Sequence, residues 1–350
     1  QTVRLVNLVG LSEGTLTVHG TQGSDAVEIS LANGITVTVN GVTYDSSIAD
    51  LGQVRMISVD TAAGYDTVSV QLPDGDASLT SVPGRTEVTV GSWQLLAKNT
   101  EVVRVRAGIG VTVAQMSDSP GDDIFICRPG YAQFAGEGFV TEVENFTIVH
   151  GYSRSGGEDT AHMYDSVGDD TFVARPEQTV MSGNGFYHRA KFFRYVHGYS
   201  TAGGSDIAQL FGSSGNDTLV GRPDWTSLKG GTYFLRAKLF EVVQANGGNG
   251  GVDAASLIGS SGKDALVAGP RWAEMTTPGA QIRVQKFSSI MANGQAGWDT
   301  ATLYDSPGDD HLKAWPGKAE MRGVGYQISL TSFEEITGNK VERCEIVWVE

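Results

Sequence analysis

Only two cysteines, Cys127 and Cys344, occur in 350 residues, and no CxxC or CxxCH pattern surrounds either. Cysteine-built zinc sites and covalently attached haem are thereby excluded. No apolar run approaches the roughly 18 residues that a membrane-spanning helix needs. No window of about 15 residues carries an apolar period near 3.6 between capping residues, so amphipathic helices are not expected. HExxH and P-loop patterns are missing as well, which removes two common routes, one to metal-assisted hydrolysis and one to phosphoryl transfer. A basic and apolar leader is also missing, and a chain numbered from Gln1 is expected to be a secreted protein after signal cleavage, extracellular or at the cell surface. Positive charge is scarce: 25 Lys and Arg stand against 40 Asp and Glu, for a net charge of −15. Such a chain repels phosphate, so nucleic acid is not an expected partner, whereas divalent cations or a basic surface are.

What is abundant is glycine, with 46 residues, and repetition. Gly-x-Asp loops place aspartates at 123, 170, 217, 264 and 310, in steps of 47, 47, 47 and 46. A second ladder, Asp159, Asp206, Asp253 and Asp299, keeps the same register. A third is aromatic: Phe146, Phe193, Phe240, Phe287 and Phe333. Three ladders at one period define a repeat protein. The repeats run over 58–338, with a less regular first copy, between an N-terminal β segment (1–57) and a strand-like tail (339–350).

Each copy holds four or five β-favouring runs of five to eight residues, separated by Gly, Asp, Ser, Asn or Pro. Strands this short cannot bury their own apolar faces, and stacking successive copies solves that problem. The expected fold is all-β: a right-handed parallel β-helix (β-solenoid) of about 47-residue repeats, each read as two rungs of about 23 residues. With strands about 4.8 Å apart, equivalent residues of adjacent repeats would stack about 10 Å apart. The Phe ladder would line the interior and the Gly-Asp loops one edge. Cys127 and Cys344 would then be about 40 Å apart, too far for an intrachain disulfide.

Gly212-Ser213-Ser214-Gly215-Asn216-Asp217-Thr218-Leu219-Val220 resembles the RTX (hemolysin-type) nonapeptide, and Gly259-Ser260-Ser261-Gly262-Lys263-Asp264-Ala265-Leu266 matches it equally well. The whole repeat region is similar to the degenerate Gly-Asp repeats of large secreted bacterial surface proteins. The resemblance implies an extracellular, repetitive β-solenoid, often associated with Ca2+. RTX nonapeptides run in tandem, however, and share calcium between adjacent loops, whereas these aspartates recur every 47 residues. A calcium site would therefore need a local set: Asp165 with Asp169 and Asp170, or Asp305 with Asp309 and Asp310. The same aspartates can instead cap loops by accepting backbone N–H bonds.

Four of the six histidines lie within 150–197, and Arg189, Arg236 and Arg283 form a basic column joined by Lys191 and Lys238. On the model of β-helix polysaccharide lyases, which share the expected architecture, His188, Arg189, Lys191, Tyr199 and Arg236 would remove a proton beside a uronate carboxylate and neutralise that carboxylate. The bland alternative is a solvated stripe balancing the acidic loops. Repeats of near-constant length leave no inserted loops to carve a catalytic groove. Val3, Leu5 and Val9, and Cys344 to Val349, read as strands at the two ends. Strand-bearing ends without a cap invite head-to-tail self-association into an extracellular filament or surface layer. That structural role is the leading expectation. The alternatives are a lyase acting on an acidic polysaccharide and a calcium- or glycan-binding adhesion module.

Overall fold

The computed structural model describes residues 8–44, 54–339 and 344–348. Among these residues every regular element is a β-strand, most of them five or six residues long. Burial follows the strand period of two: Ala161 and Met163 point inward from Thr160–Tyr164, and Phe172 and Ala174 from Thr171–Arg175. The chain forms two compact units, 1–163 with 185–193, and 164–184 with 194–350.

In the first unit, parallel ladders stack strands from successive solenoid turns. Ala77–Val82, Thr112–Ser117, Ile148–Tyr152 and Phe186–Lys191 form one such ladder. Ala26–Ser30, Thr67–Gln71, Val102–Arg106 and Phe139–Glu144 form a second. The N-terminal segment joins this stacking, because Thr15–His19 pairs in parallel with Met56–Asp60. Between the ladders the chain reverses twice in antiparallel meanders, such as Ile124–Arg128, Tyr131–Gly136 and Phe139–Glu144. The Pro129-Gly130 loop permits the first of these reversals, with Gly130 at a φ of 79° that only glycine adopts freely.

The second unit is built in the same way. Thr171–Arg175, Ile207–Phe211, Val242–Asn246 and Gln281–Gln285 stack in parallel. Thr218–Arg222, Ala254–Ile258, Ser289–Asn293 and Tyr326–Thr331 form the opposing ladder. Meanders recur at Ala265–Gly269, Trp272–Thr276 and Gln281–Gln285, and at Asp310–Trp315, Lys318–Gly323 and Tyr326–Thr331. Cys344–Trp348, from the tail, pairs in parallel with Asp310–Trp315.

Both units are therefore all-β solenoids, but a solenoid turn is not a sequence repeat. Each parallel partner is the fourth strand on, and hydrogen bonds between successive turns join residues 35 or 36 apart. A sequence repeat contains five strands, three of which lie side by side as a meander. The expected 47-residue turn and its two 23-residue rungs are corrected accordingly. The expected stacking of equivalent residues about 10 Å apart fails with them. Five strands per repeat against four per turn moves each copy to the other sheet. Within the second unit, Arg236 lies on the strand paired with Tyr195–Tyr199, and Arg283 on the strand paired with Val242–Asn246, in opposite sheets.

The interior is aromatic, and the Phe ladder is buried throughout. In the first unit the Phe125 ring lies 5.4 Å from Phe134 and 5.8 Å from Phe193. Gly151 makes room for it: a Cβ there would come within 2.8 Å of the Phe125 ring. In the second unit Phe172 stacks on Phe240 at 5.7 Å. The Cys127 side chain is buried, and burial pushes its thiol well above the usual range. The Cys344 side chain, Val3, Leu5 and Val349 lie outside the described residues.

Candidate functional site

The aspartates do two kinds of work at the loops. Each Gly-x-Asp carboxylate accepts the backbone N–H of the residue four positions before it: Ser119 to Asp123, Ser213 to Asp217, Ser260 to Asp264 and Ser306 to Asp310, at 2.6–2.7 Å. The serine hydroxyl bonds the same carboxylate and also accepts the N–H of the glycine two residues on. A Ser-x-Gly-x-Asp loop is thus closed on itself, as an Asx-type turn requires. The second ladder ties one solenoid turn to the next. Asp123 N–H donates to Asp159 Oδ1 at 2.7 Å, Asp170 N–H to Asp206 at 2.8 Å, Asp217 N–H to Asp253 at 2.9 Å and Asp264 N–H to Asp299 at 2.8 Å. Glutamates extend the lattice: Asp206 N–H donates to Glu241 and Asp299 N–H to Glu334.

In the first unit, the oxygens of Asp118, Asp123 and Asp159 lie within 4.8 Å of one another, and all three residues are buried. Asp118 Oδ2 accepts the N–H groups of Arg154 and Ser155, both at 2.6 Å, while its Oδ1 is buried without a hydrogen-bond partner. Ser153 Oγ donates to Asp159 Oδ2. Burial raises the Asp123 carboxyl above its ordinary value, against the Ser119 hydrogen bonds, and the charges of Asp118 and Asp122 add to the rise. Burial raises Asp159 as well, opposed by bonds from Ser153 and Asp123, with repulsion from Asp123 and Asp118. Three converging carboxylates can hold a metal ion, or else a proton, and their hard oxygens suit a hard cation.

The aspartates singled out from the sequence are distributed differently. Asp165 and Asp170 stand 47 residues beyond Asp118 and Asp123, and both are buried. Asp165 Oδ2 accepts Thr201 and Ala202 N–H at 2.7 Å, and Asp170 Oδ2 accepts Ser166 N–H. Asp169 is exposed and accepts Ser205 N–H at 2.8 Å. Asp310 is buried and takes Ser306 N–H and the Tyr326 hydroxyl, while Asp305 is half-buried and Asp309 exposed. Asp118 and Asp159 were missed in this role. The signal was present, because Asp159 heads the second ladder, but its partner lies 36 residues away rather than 47.

The five residues of the lyase reading fall in both units. In the first, His188 is fully buried and neither ring nitrogen has a hydrogen-bond partner. Burial, and then the neighbouring His150, lower its pKa to about 4. Arg189 Nη2 donates to Tyr152 Oη at 2.9 Å, and the Lys191 ammonium sits 4.9 Å from the Phe192 ring centre. In the second unit, Arg236 Nη2 donates to Tyr199 Oη at 3.4 Å, and Tyr199 stacks on Tyr164 at 4.7 Å. No family model matches the chain, and no curated protein is similar to it. The RTX-type likeness therefore rests on the loop residues alone, and the chain is placed by its architecture, an all-β solenoid.

Proposed function

We propose that this chain is a structural solenoid which adds further turns end to end, building an extracellular fibre or surface layer. The observation that carries this reading is the state of the strand edges. Among the described residues, Glu335–Asn339 pairs on one side, with Thr300–Tyr304, and Cys344–Trp348 on one side, with Asp310–Trp315. A short parallel strand whose second edge has no partner among the described residues can take up another strand there. A further turn, from a second copy or from further repeats, extends the same ladder and continues the Asp lattice. We take the winding as right-handed, as the twist of parallel strands favours.

Calcium is the cation this reading assigns to Asp118, Asp123 and Asp159, because a dense oxygen donor set accommodates its flexible coordination. Ion binding there would cancel the repulsion among the three carboxylates and stiffen a loop of the lattice.

Sedimentation velocity across a concentration series tests the assembly. Association that rises with concentration is expected for the wild type, and its loss is expected in Thr337→Pro or Gly338→Pro, which together remove an amide on either side of the edge strand. A wild type that stays monomeric, or proline variants that assemble as well as it does, would refute the proposal. Circular dichroism establishes that the variants keep their fold.

A further inference from the structure

In the second unit, the meander loop Pro270-Arg271-Trp272, the strand end at Arg283, Gln285 and Lys286, and the glycine loop around Asn249 border a cleft of about 630 Å³. Three cations line it, and no carboxylate does, in a chain of net charge −15. The cations are held in place. Arg271 Nη2 donates to the Lys286 carbonyl at 3.3 Å, and Lys286 Nζ to Asn249 Oδ1 at 2.5 Å. With its amide turned to accept, Gln285 takes Arg283 Nε and Nη2, each at 3.1 Å. Two acidic groups beside these cations have other partners or are buried. Glu274, across from Arg283, accepts Gln281 Nε2 at 2.9 Å, and Asp253, which feels the Arg271 charge, is buried.

Two departures from the other copies single out this loop. Arg271 has a φ of 65°, where three of the matching loop positions carry Gly84, Gly130 and Gly317 at 73°, 79° and 72° and the other two carry Glu177 and Asp224. That left-handed conformation is disfavoured for any residue with a Cβ. The second departure is at 269. Arg128 and Arg222 place their guanidinium groups over Tyr131 and Trp225, at 4.8 and 5.6 Å. Gly269 stands at that position beside Trp272, where a Cβ would come within 2.7 Å of the indole Nε1. The covering arginine is lost, and a cation reappears two residues later as Arg271, the residue next to Trp272 in the chain.

We propose that this cleft binds a segment of an acidic polysaccharide. The indole of Trp272 takes the apolar face of a sugar ring, and Arg271, Arg283 and Lys286 take its carboxylate. This inference is independent of end-to-end assembly.

The test is calorimetric titration of the full chain with tetragalacturonate, with tryptophan fluorescence as a second readout. Binding that weakens with added salt is expected, and α-1,4-linked galactotetraose, its neutral counterpart, is expected not to bind. Trp272→Ala and Arg271→Gly should each weaken affinity at least tenfold. Glycine suits the backbone at 271, so Arg271→Gly should melt no lower than the wild type, which separates lost binding from lost folding. No binding by the wild type would overturn the proposal. So would an Arg271→Gly variant with unchanged affinity, or equal binding of an oligophosphate, which would reduce the cleft to unspecific ion exchange.

Discussion

The backbone N–H of Asp123 donates to the Asp159 carboxylate at 2.7 Å, joining residues 36 apart in a chain whose sequence repeats every 47. That offset captures the architecture. The hydrogen-bonding unit is the four-strand turn, the coding unit is the five-strand repeat, and aspartates placed at two points of each repeat hold successive turns together.

The lattice makes stability depend on pH in a definite direction. Burial raises the Asp253 carboxyl above its ordinary value of 3.8, beyond what the bond from Asp217 and the Arg271 charge restore. A raised folded-state pKa contributes stability below the unfolded value and loses it as pH rises through the folded value. Asp253→Asn keeps an acceptor oxygen and cannot ionise. Its stability relative to the wild type should therefore increase from pH 4 to pH 7.5 in urea unfolding. A constant or falling difference would contradict the assignment.

Tyr233 and Tyr326 donate their hydroxyls to Asp217 and Asp310 at 2.7 and 2.9 Å, inside the lattice. A buried bond to a charged acceptor contributes about 1.5–3 kcal/mol. Tyr233→Phe should lower stability by about that amount, measured by the urea midpoint. A loss below about 0.5 kcal/mol would mean that Asp217 is already satisfied by Ser213.

His188 is buried as a neutral group, with its pKa lowered to about 4 from 6.5. A lowered value on a base contributes stability above 6.5 that is lost as pH falls towards 4. At pH 5 this one group costs about 2 kcal/mol. His188→Leu fills the site with an apolar side chain and removes two unpartnered nitrogens. It should gain on the wild type as pH falls from 7 to 5, and thermal melts at the two pH values would show this.

Leu239 is half-exposed at a φ of 66°, just before buried Phe240, where two earlier copies carry Asn99 and Asn145 at 56° and 61°. A leucine there costs about 1–2 kcal/mol of backbone strain, much of which asparagine relieves. Leu239→Asn should raise the melting temperature. A lower one would show that the leucine side chain contributes more than its exposure suggests.

Much of this was legible in the sequence. Alternating burial follows from runs such as Thr160–Tyr164, and the Phe ladder and Asp loops are visible as periods. The length of a solenoid turn was not visible, because a β-run has the same composition whether it crosses to the other sheet or reverses within its own. Pro83-Gly84, Pro129-Gly130 and Pro316-Gly317 mark the reversals, but copies with Pro176-Glu177 and Pro223-Asp224 blur the signal. The metal-competent group was missed for the same reason: Asp118 and Asp123 meet Asp159 only when the turn is 36 residues long. His188, cast with the catalytic group under the lyase reading, alternates with buried Phe186 and Ala190 and is itself buried.

The most direct measurement is electron microscopy of the purified chain at rising concentration, with calcium and with chelator. The account predicts particles longer than one chain, with the spacing of about 4.8 Å between β-strands running unbroken across each junction. It predicts shorter particles in chelator. Dispersed single particles at every concentration, or junctions without strand continuity, would contradict it.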